Sequence, residues 1–279
     1  AAAGYEDLLS FDMGGTTAKF AVIARGEPLL AHGFEVDRRY RFKKGSGLPI
    51  NLPVIEMIEI GAGGGSIARI DALGLLKVGP DSAGADPGPV CYGNGGTEPT
   101  VTDADVVLGY INPDTYYGGR MALDRGKAEE AVRSRIAGPM GIGVEEAAAL
   151  IRRIVDQNMH SAIRREIHLR GYHPEDFILF AFGGAGPTHV SGFLGDLAKA
   201  VIFQSAPVFC AHGSSIPARA PSRLKIRSCR RAIAVQPAIG PIRIKAQLTA
   251  MCGNPFQCRI TILKWTRIRS LRRQTVVHR

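Results

Sequence analysis

Leu8-Leu9-Ser10-Phe11-Asp12-Met13-Gly14-Gly15-Thr16-Thr17-Ala18-Lys19-Phe20-Ala21-Val22-Ile23 is the stretch whose reading decides the fold. An apolar run ends in an acidic residue, two glycines and two hydroxyls, and a second strand-like run follows at once, which predicts a hairpin with a polar tip. Glycines let backbone approach a bulky anion, and hydroxyl and amide groups can hold phosphate oxygens. Asp12 stands where a carboxylate could face a hydrated divalent cation. A Gly-Gly hairpin tip more commonly binds nothing, so the tip by itself leaves both roles open.

Far downstream the pattern returns in another form. Phe177-Ile178-Leu179-Phe180-Ala181-Phe182 reads as a buried strand and runs into Gly183-Gly184-Ala185-Gly186-Pro187-Thr188-His189, a glycine turn ahead of a predicted helix over 190–200 and a strand over 201–203. A helix N-terminus favours anions, and glycine lets a flat base or sugar lie on the backbone. His189 is a candidate contact, although a first-turn helix residue is the commoner role. Between the two turns, Pro53 to Ile60 alternates apolar and acidic positions as a half-buried strand and delivers the chain into Gly61-Ala62-Gly63-Gly64-Gly65-Ser66. Three consecutive glycines imply a close backbone approach or a turn needing positive φ.

Together these segments resemble the hydantoinase A and oxoprolinase family, which includes acetone and acetophenone carboxylase subunits. The resemblance is carried by Phe11 to Lys19, Ile60 to Ala68, Val78 to Gly96, Glu98 to Ala104 and Phe182 to His189, in one order across about residues 5 to 214. It implies an α/β fold: an actin-like ATPase (ribonuclease H-like) lobe, with a mixed sheet, an antiparallel meander first and flanking helices. It further implies ATP and Mg²⁺ as cofactors and activation of a cyclic amide or ketone carbonyl by phosphorylation, for hydrolysis or carboxylation. On that model Asp12 orients the metal and its water, Gly14, Gly15, Thr16 and Thr17 cradle phosphates, Lys19 neutralises charge, and Gly183, Gly184 and Gly186 face the nucleoside. Gly63, Gly64, Gly65, Ser66, Asp86, Asp103 and His189 are the cleft or substrate candidates. The family's first phosphate motif does not precede residue 8, so the expected partners are a missing N-terminal lobe, a hydantoinase B-like subunit and a small-molecule substrate.

The rest of the chain is read from its residues. Leu29 to Val36 is expected as the third strand after a turn at Glu27-Pro28, and a hairpin around Ala72-Leu73-Gly74 follows. Gly79 to Thr102 reads as a long functional loop. Within this region Asp86 precedes a proline, as turn residues do, and Asp103 can cap a helical turn over 104–108. Cys91 reads as a packed small residue. Asp124 to Ile136 predicts a polar helix stopped at Gly138-Pro139, and Gly143 to Arg170 a long amphipathic one, with Val144, Ala147, Ala148, Ile151, Ile154, Val155, Met159, Ala162, Ile163 and Ile167 on its apolar face. Asn158 is expected as a buried polar contact near the nucleotide, whereas His160, His168 and His173 read as surface residues.

Charge divides the 279 residues near Ser215. The net charge is +10, yet residues 216–279 hold 15 of the 35 Lys and Arg and no acidic residue, leaving 20 basic against 25 acidic in the body. Only Gly240 and Gly253 of the 34 glycines lie in that tail, and apolar residues such as Trp265 are scattered through it without period. The expected division is an ATPase-like lobe over 1–214 and a basic, poorly ordered, non-family tail over 215–279, the product of a shifted reading frame. An inactive truncated remnant and a basic-tail nucleic-acid-binding protein are the alternatives, the second disfavoured by the acidic body and the lack of interleaved aromatics. Cys91 and Cys210 in the body, and isolated Cys252 and Cys258 in a tail that also holds Cys229, form no disulfide framework or zinc spacing. No signal pattern or membrane-length apolar run is present, so a cytoplasmic protein is expected.

Overall fold

A computed structural model describes residues 5–40, 45–197, 199–203, 206–209, 232–233, 245–251 and 258–264. Cys210, Cys252 and Trp265 lie outside the described residues.

The first hairpin forms as read: β1 (Leu8–Met13) pairs antiparallel with β2 (Ala18–Ala24), with Asp12 opposite Lys19. Period-two alternation puts Leu9, Phe11 and Met13, with Ala18, Phe20 and Val22, on the face that enters the main core. Ser10, Asp12 and Lys19 therefore share the other face.

The third strand is not the expected one. Arg25 and Gly26 both take positive φ (54° and 80°), a two-residue turn that sends the chain straight back as β3 (Glu27–Pro28) beside Ile23 and Ala24. Pro28 cannot donate to a further ladder, which suits a sheet edge. The segment read as a strand over 29–36 is split into β4 (Leu30–Ala31) and β5 (Phe34–Val36), and the one over 53–60 into β7 (Val54–Ile55) and β8 (Ile58–Ile60), with a further strand β6 (Leu48–Ile50) between them. β4 pairs with β7 and β5 with β6, while β8 returns to β2 with Glu59 opposite Lys19. The next hairpin is as expected. β9 (Ser66–Ile70) and β10 (Leu76–Ser82) are joined by a turn in which the Asp71 carboxylate accepts the Leu73 and Leu75 N–H groups.

Four helices follow. α1 (Val101–Val107) has Thr100 as its N-cap, and Asp103 at the third helical position completes a capping box. Asp103 was read as the cap itself, but the Thr-x-x-Asp spacing starts the helix three residues earlier. α2 (Arg125–Val132) is capped by Asp124. Gly138-Pro139 does not stop it: a π turn over 133–137 leads into α3 (Gly138–Met140), and left-handed Gly141 ends the run. The wider turn accommodates a proline that has no N–H to donate. α4 (Val144–Leu169) matches its expected span to the residue beside each cap.

The strand β11 (Ile178–Phe182), the helix α5 (Gly186–Phe193) and the strand β12 (Lys199–Phe203) complete the core. α5 begins four residues before the expected start, so half of the glycine turn is its first turn. Within the stretch read as a tail, the described residues form β13 (Ala232–Ile233), β14 (Lys245–Met251) and β15 (Cys258–Lys264), and the remainder lies outside the described residues.

The strand order is β13-β14-β15-β12-β11-β1-β2-β3. β1 and β12 run parallel to β11, and the other pairs are antiparallel, so the sheet is mixed. Phe11 of β1 meets Phe193 of α5 at 4.5 Å between ring centroids. The consequence for function is positional. Parallel neighbours end at the same sheet edge, and the register Asp12 to Phe182 carries the Gly14-Gly15 and Gly183-Gly184 turns to that edge together.

Candidate functional site

Three glycine segments interlock at this edge. The Gly64 N–H donates to the Gly14 carbonyl (3.1 Å) and the Gly65 N–H to the Gly15 carbonyl (2.6 Å), while Ala185 N–H donates to the Met13 carbonyl (2.9 Å). The approach explains the central glycines: a Cβ on Gly63 would sit 2.6 Å from the Gly15 carbonyl oxygen, and one on Gly64 2.8 Å from Thr102 Oγ1. Thr102 closes the arrangement by donating both its N–H and its hydroxyl to the Gly64 carbonyl. Ser66 is buried and accepts the Gly63 N–H at 2.9 Å, which makes it a brace for the turn.

Gly15 and Gly184 differ from the rest. Neither has a positive φ, and a Cβ on either would find no atom within 4 Å. Both line a cleft of about 190 Å³, together with Gly64, Gly65, Thr102, Asp105 and Thr188, and with Tyr92 and Tyr116 at its aromatic wall. The tyrosine hydroxyls meet at 2.8 Å. Burial and that hydrogen bond push the Tyr92 phenol above its usual range.

The other candidates are placed as follows. Gly14 and Thr17 close the hairpin tip through the Gly14 N–H to Thr17 carbonyl bond (3.1 Å), with half-buried Thr16 between them. Asp12 is half-buried on the sheet face away from the main core, and its carboxylate occupies the space that a Cβ on Gly183 would take. Lys19 Nζ lies 3.6 Å from Glu59 in a half-exposed ion pair. Gly186 is buried at the start of α5, and Asp86 is exposed ahead of Pro87. Both Asp103 oxygens are occupied inside the protein: one accepts the Cys91 N–H, and the other the N–H groups of Val90 and Thr100 and the Thr100 hydroxyl. Cys91 is fully buried, and its burial and the nearby Asp103 raise the thiol pKa far above the reactive range.

The hydantoinase/oxoprolinase family model matches residues 1–217. The chain belongs to the hydantoinase/oxoprolinase family. It is 59% identical over 215 residues to the acetophenone carboxylase gamma subunit of Aromatoleum aromaticum, covering 76% of this chain and 28% of that one. A nucleotide-free structure of acetone carboxylase, from work on ATP-dependent acetone carboxylation, superposes with a TM-score of 0.69 at 31% identity, covering 86% of this chain and 32% of that one. The ATP-dependent caprolactamase of Pseudomonas jessenii does so with a TM-score of 0.66 at 27% identity, covering 94% and 47%. The fold is thus the actin-like ATPase fold, and the chain spans under half the length of each of these relatives.

Beneath this cleft lies a buried cluster of charge that the sequence reading missed. His189 is fully buried, its Nε2 2.9 Å from an Asp105 oxygen and its Nδ1 2.7 Å from an Asp156 oxygen. Arg152 donates to the other Asp105 oxygen and to the Thr188 carbonyl, reaches Asp156 at 3.7 Å, and stacks on the Tyr110 ring at 3.8 Å. Burial disfavours charge on the imidazole, but the Asp105 and Asp156 carboxylates outweigh it and raise its pKa to about 9. Asn158, expected to be the buried polar residue of α4, is exposed, because the helix turns Arg152 and Asp156 inward instead. Their signal in the sequence was an Arg and an Asp four residues apart inside the apolar stripe. Gly192 is its counterpart on α5, since any side chain there would collide with the Asp156 carboxylate. Among the described residues no helix is long and apolar enough to cross a membrane.

Proposed function

We propose that this chain carries the phosphate-binding edge of a longer ATP-dependent enzyme that transfers a phosphoryl group to a carbonyl oxygen of a cyclic amide or ketone, preparing it for hydrolysis or carboxylation. The observation that supports this most is the pair Gly15 and Gly184, two cleft-lining glycines that neither backbone conformation nor packing requires. A bound phosphate group is a physical reason for both. The cleft volume, about 190 Å³, is below the roughly 300–1,000 Å³ of whole small-molecule sites, so it suits the phosphates of a nucleotide rather than all of it. Residues 1–214 hold the whole cleft and form the functional lobe of this reading.

Phosphoryl transfer depends on positioning and on neutralising charge, with little covalent work for the protein. The tip amides of Gly15 to Thr17 and the Thr16 and Thr17 hydroxyls would hold phosphate oxygens around the turn that Gly14 closes, and Lys19 stands on the Asp12 face to offset their charge. Asp12 offers the hard oxygen donor that Mg²⁺ prefers, in a space that Gly183 keeps open. The ion would neutralise phosphate charge when bound. Relatives named as subunits support a partner subunit, and the family resemblance suggests one of the hydantoinase B type.

Titration calorimetry of the 279-residue chain with Mg²⁺-ATP tests this reading. Weak binding with negligible phosphate release is expected, and Gly15→Ala with Gly184→Ala should weaken it by at least about tenfold, about 1.4 kcal/mol, without lowering the melting temperature. Unchanged affinity in that double variant would overturn the phosphate assignment. In a polypeptide of the relatives' full length, Asp12→Ala is expected to abolish turnover while the fold persists. Undiminished turnover would remove Asp12 from the site.

A further inference from the structure

We propose that His189 is a positioning residue: its imidazolium, clamped between Asp105 and Asp156, keeps the Asp105 carboxylate in the cleft wall charge-balanced, so that the cleft accepts an anionic phosphate ligand only while the ring carries its proton. The proposal rests on the reading of the cleft as a phosphate site and goes beyond it to the control of that site.

The hydrogen-bond geometry favours a ring with both nitrogens protonated. Both ring nitrogens lie within 2.9 Å of carboxylate oxygens, and an ionised carboxylate only accepts, so both nitrogens donate. Arg152 touches the same two carboxylates, pairing with Asp105 and reaching Asp156 at 3.7 Å. A neutral ring has one N–H and would abandon one of the two acids, a costly loss at sites where Asp105 is 2% and Asp156 6% exposed.

Charge counting gives the functional consequence. With the ring protonated, two acids face two cations and the cluster is neutral. Without that proton it carries one net negative charge, and Asp105 lines the cleft that would receive phosphates. A buried charge there is poorly screened and repels the ligand. Among the described residues, the ionisable groups facing His189 are Asp105 from α1 and Asp156 and Arg152 from α4. His160, one turn further along α4, faces the Phe193 carbonyl at 3.3 Å, and Tyr110 covers Arg152. Opposite, the sheet presents Phe11 to the same helix. The cluster also ties the wall helix α1 to α5, whose preceding turn carries Gly184, so the proton links both sides of the cleft.

ADP is the probe, because its phosphates are already fully ionised at mildly alkaline pH. Its dissociation constant is measured on the full chain from pH 7.5 to 10.5, alongside the ¹⁵N shifts of the His189 ring, with circular dichroism confirming the fold at each pH. Wild type should hold its affinity up to about pH 9 and then lose at least tenfold. Asp156→Asn, which removes one of the two acids holding the proton, should move the break and the ring titration to lower pH together. His189→Gln should bind weakly with no break attributable to the ring. A wild-type affinity that passes through the ring titration unchanged, or a break that persists in His189→Gln, overturns the inference and leaves the phosphate reading standing. Absence of ADP binding at every pH, with the ring titrating near 9, overturns the phosphate reading and the gating with it.

Discussion

Gly183→Ala is expected to be among the most destabilising single-methyl changes in this chain, costing on the order of 3 kcal/mol or more. Two independent effects add. Gly183 holds φ at +85°, a left-handed conformation that a Cβ disfavours by about 1–2 kcal/mol. The new methyl would also collide with the Asp12 carboxylate and the Met13 carbonyl, the second of which is backbone in a central strand and has little freedom to withdraw. Its neighbour is the control. Gly184→Ala meets nothing within 4 Å and no positive φ, so its stability should stay within about 0.5 kcal/mol of wild type, as surface changes usually do. Urea unfolding of the two variants separates them. Equal midpoints would mean that the turn does not pack against β1 as described.

The contrast between these adjacent glycines bears on what the sequence can reveal. Phe177 to Phe182 running into Gly183-Gly184 marked a strand ending at a glycine turn, and the Leu8 to Ile23 stretch marked a hairpin, because both signals are local and periodic. α4 was legible for the same reason, through apolar positions recurring over seven turns. The mixed sheet and the actin-like fold followed from the order of motifs through their family resemblance. Local signals also misled in places. Gly138-Pro139 has the composition of a helix stop, yet the π turn before it absorbs the proline. Leu29 to Val36 has the composition of a third strand, yet the tight turn at Arg25-Gly26 completes the pairing first, and β8 fills the remaining length of β2.

At the site, the same boundary separates what was legible from what was not. Gly15, Gly64, Gly65 and Gly184 were visible as glycine clusters, and the structure brings all four to one cleft. Which of them is packed and which is open could not be read, since that depends on partners distant in sequence, such as Thr102 for Gly64 and Gly15 for Gly65. The charge cluster was harder still. Asp105, Arg152, Asp156 and His189 come from three helices, and apart from the Arg152 and Asp156 pair inside the apolar stripe each looks ordinary in its own segment: a helix acid and a first-turn histidine. Only the contact of α1, α4 and α5 makes them one object. His189 was singled out for its place beside the glycine turn, and its role in the structure is explained by two carboxylates that the turn does not contain.

Arg152→Leu is expected to cost about 3–5 kcal/mol, the range for breaking a buried ion pair by removing one partner. The leucine keeps part of the volume but strands Asp105 and Asp156 with a single imidazolium, removes the donor to the Thr188 carbonyl, and ends the stacking on Tyr110. If unbalanced charge is the cause, Asp105→Asn in the same chain should recover part of the loss, and the double-variant cycle should show coupling well above 0.5 kcal/mol. The pH dependence offers a second, independent reading of the cluster. Because His189 has its pKa raised from 6.5 to about 9, its protonation stabilises the fold fully below about pH 6.5, and that contribution, on the order of 3 kcal/mol by linkage, is lost as pH rises through about 9. Removing the Arg152 cation leaves two carboxylates holding the imidazolium without a competing positive charge, so the alkaline loss of stability should begin at higher pH in Arg152→Leu than in wild type. Chemical denaturation from pH 6 to 10.5 measures both effects. A variant with wild-type stability, or an alkaline break displaced downward, would show that the four side chains do not act as a single charge-balanced unit.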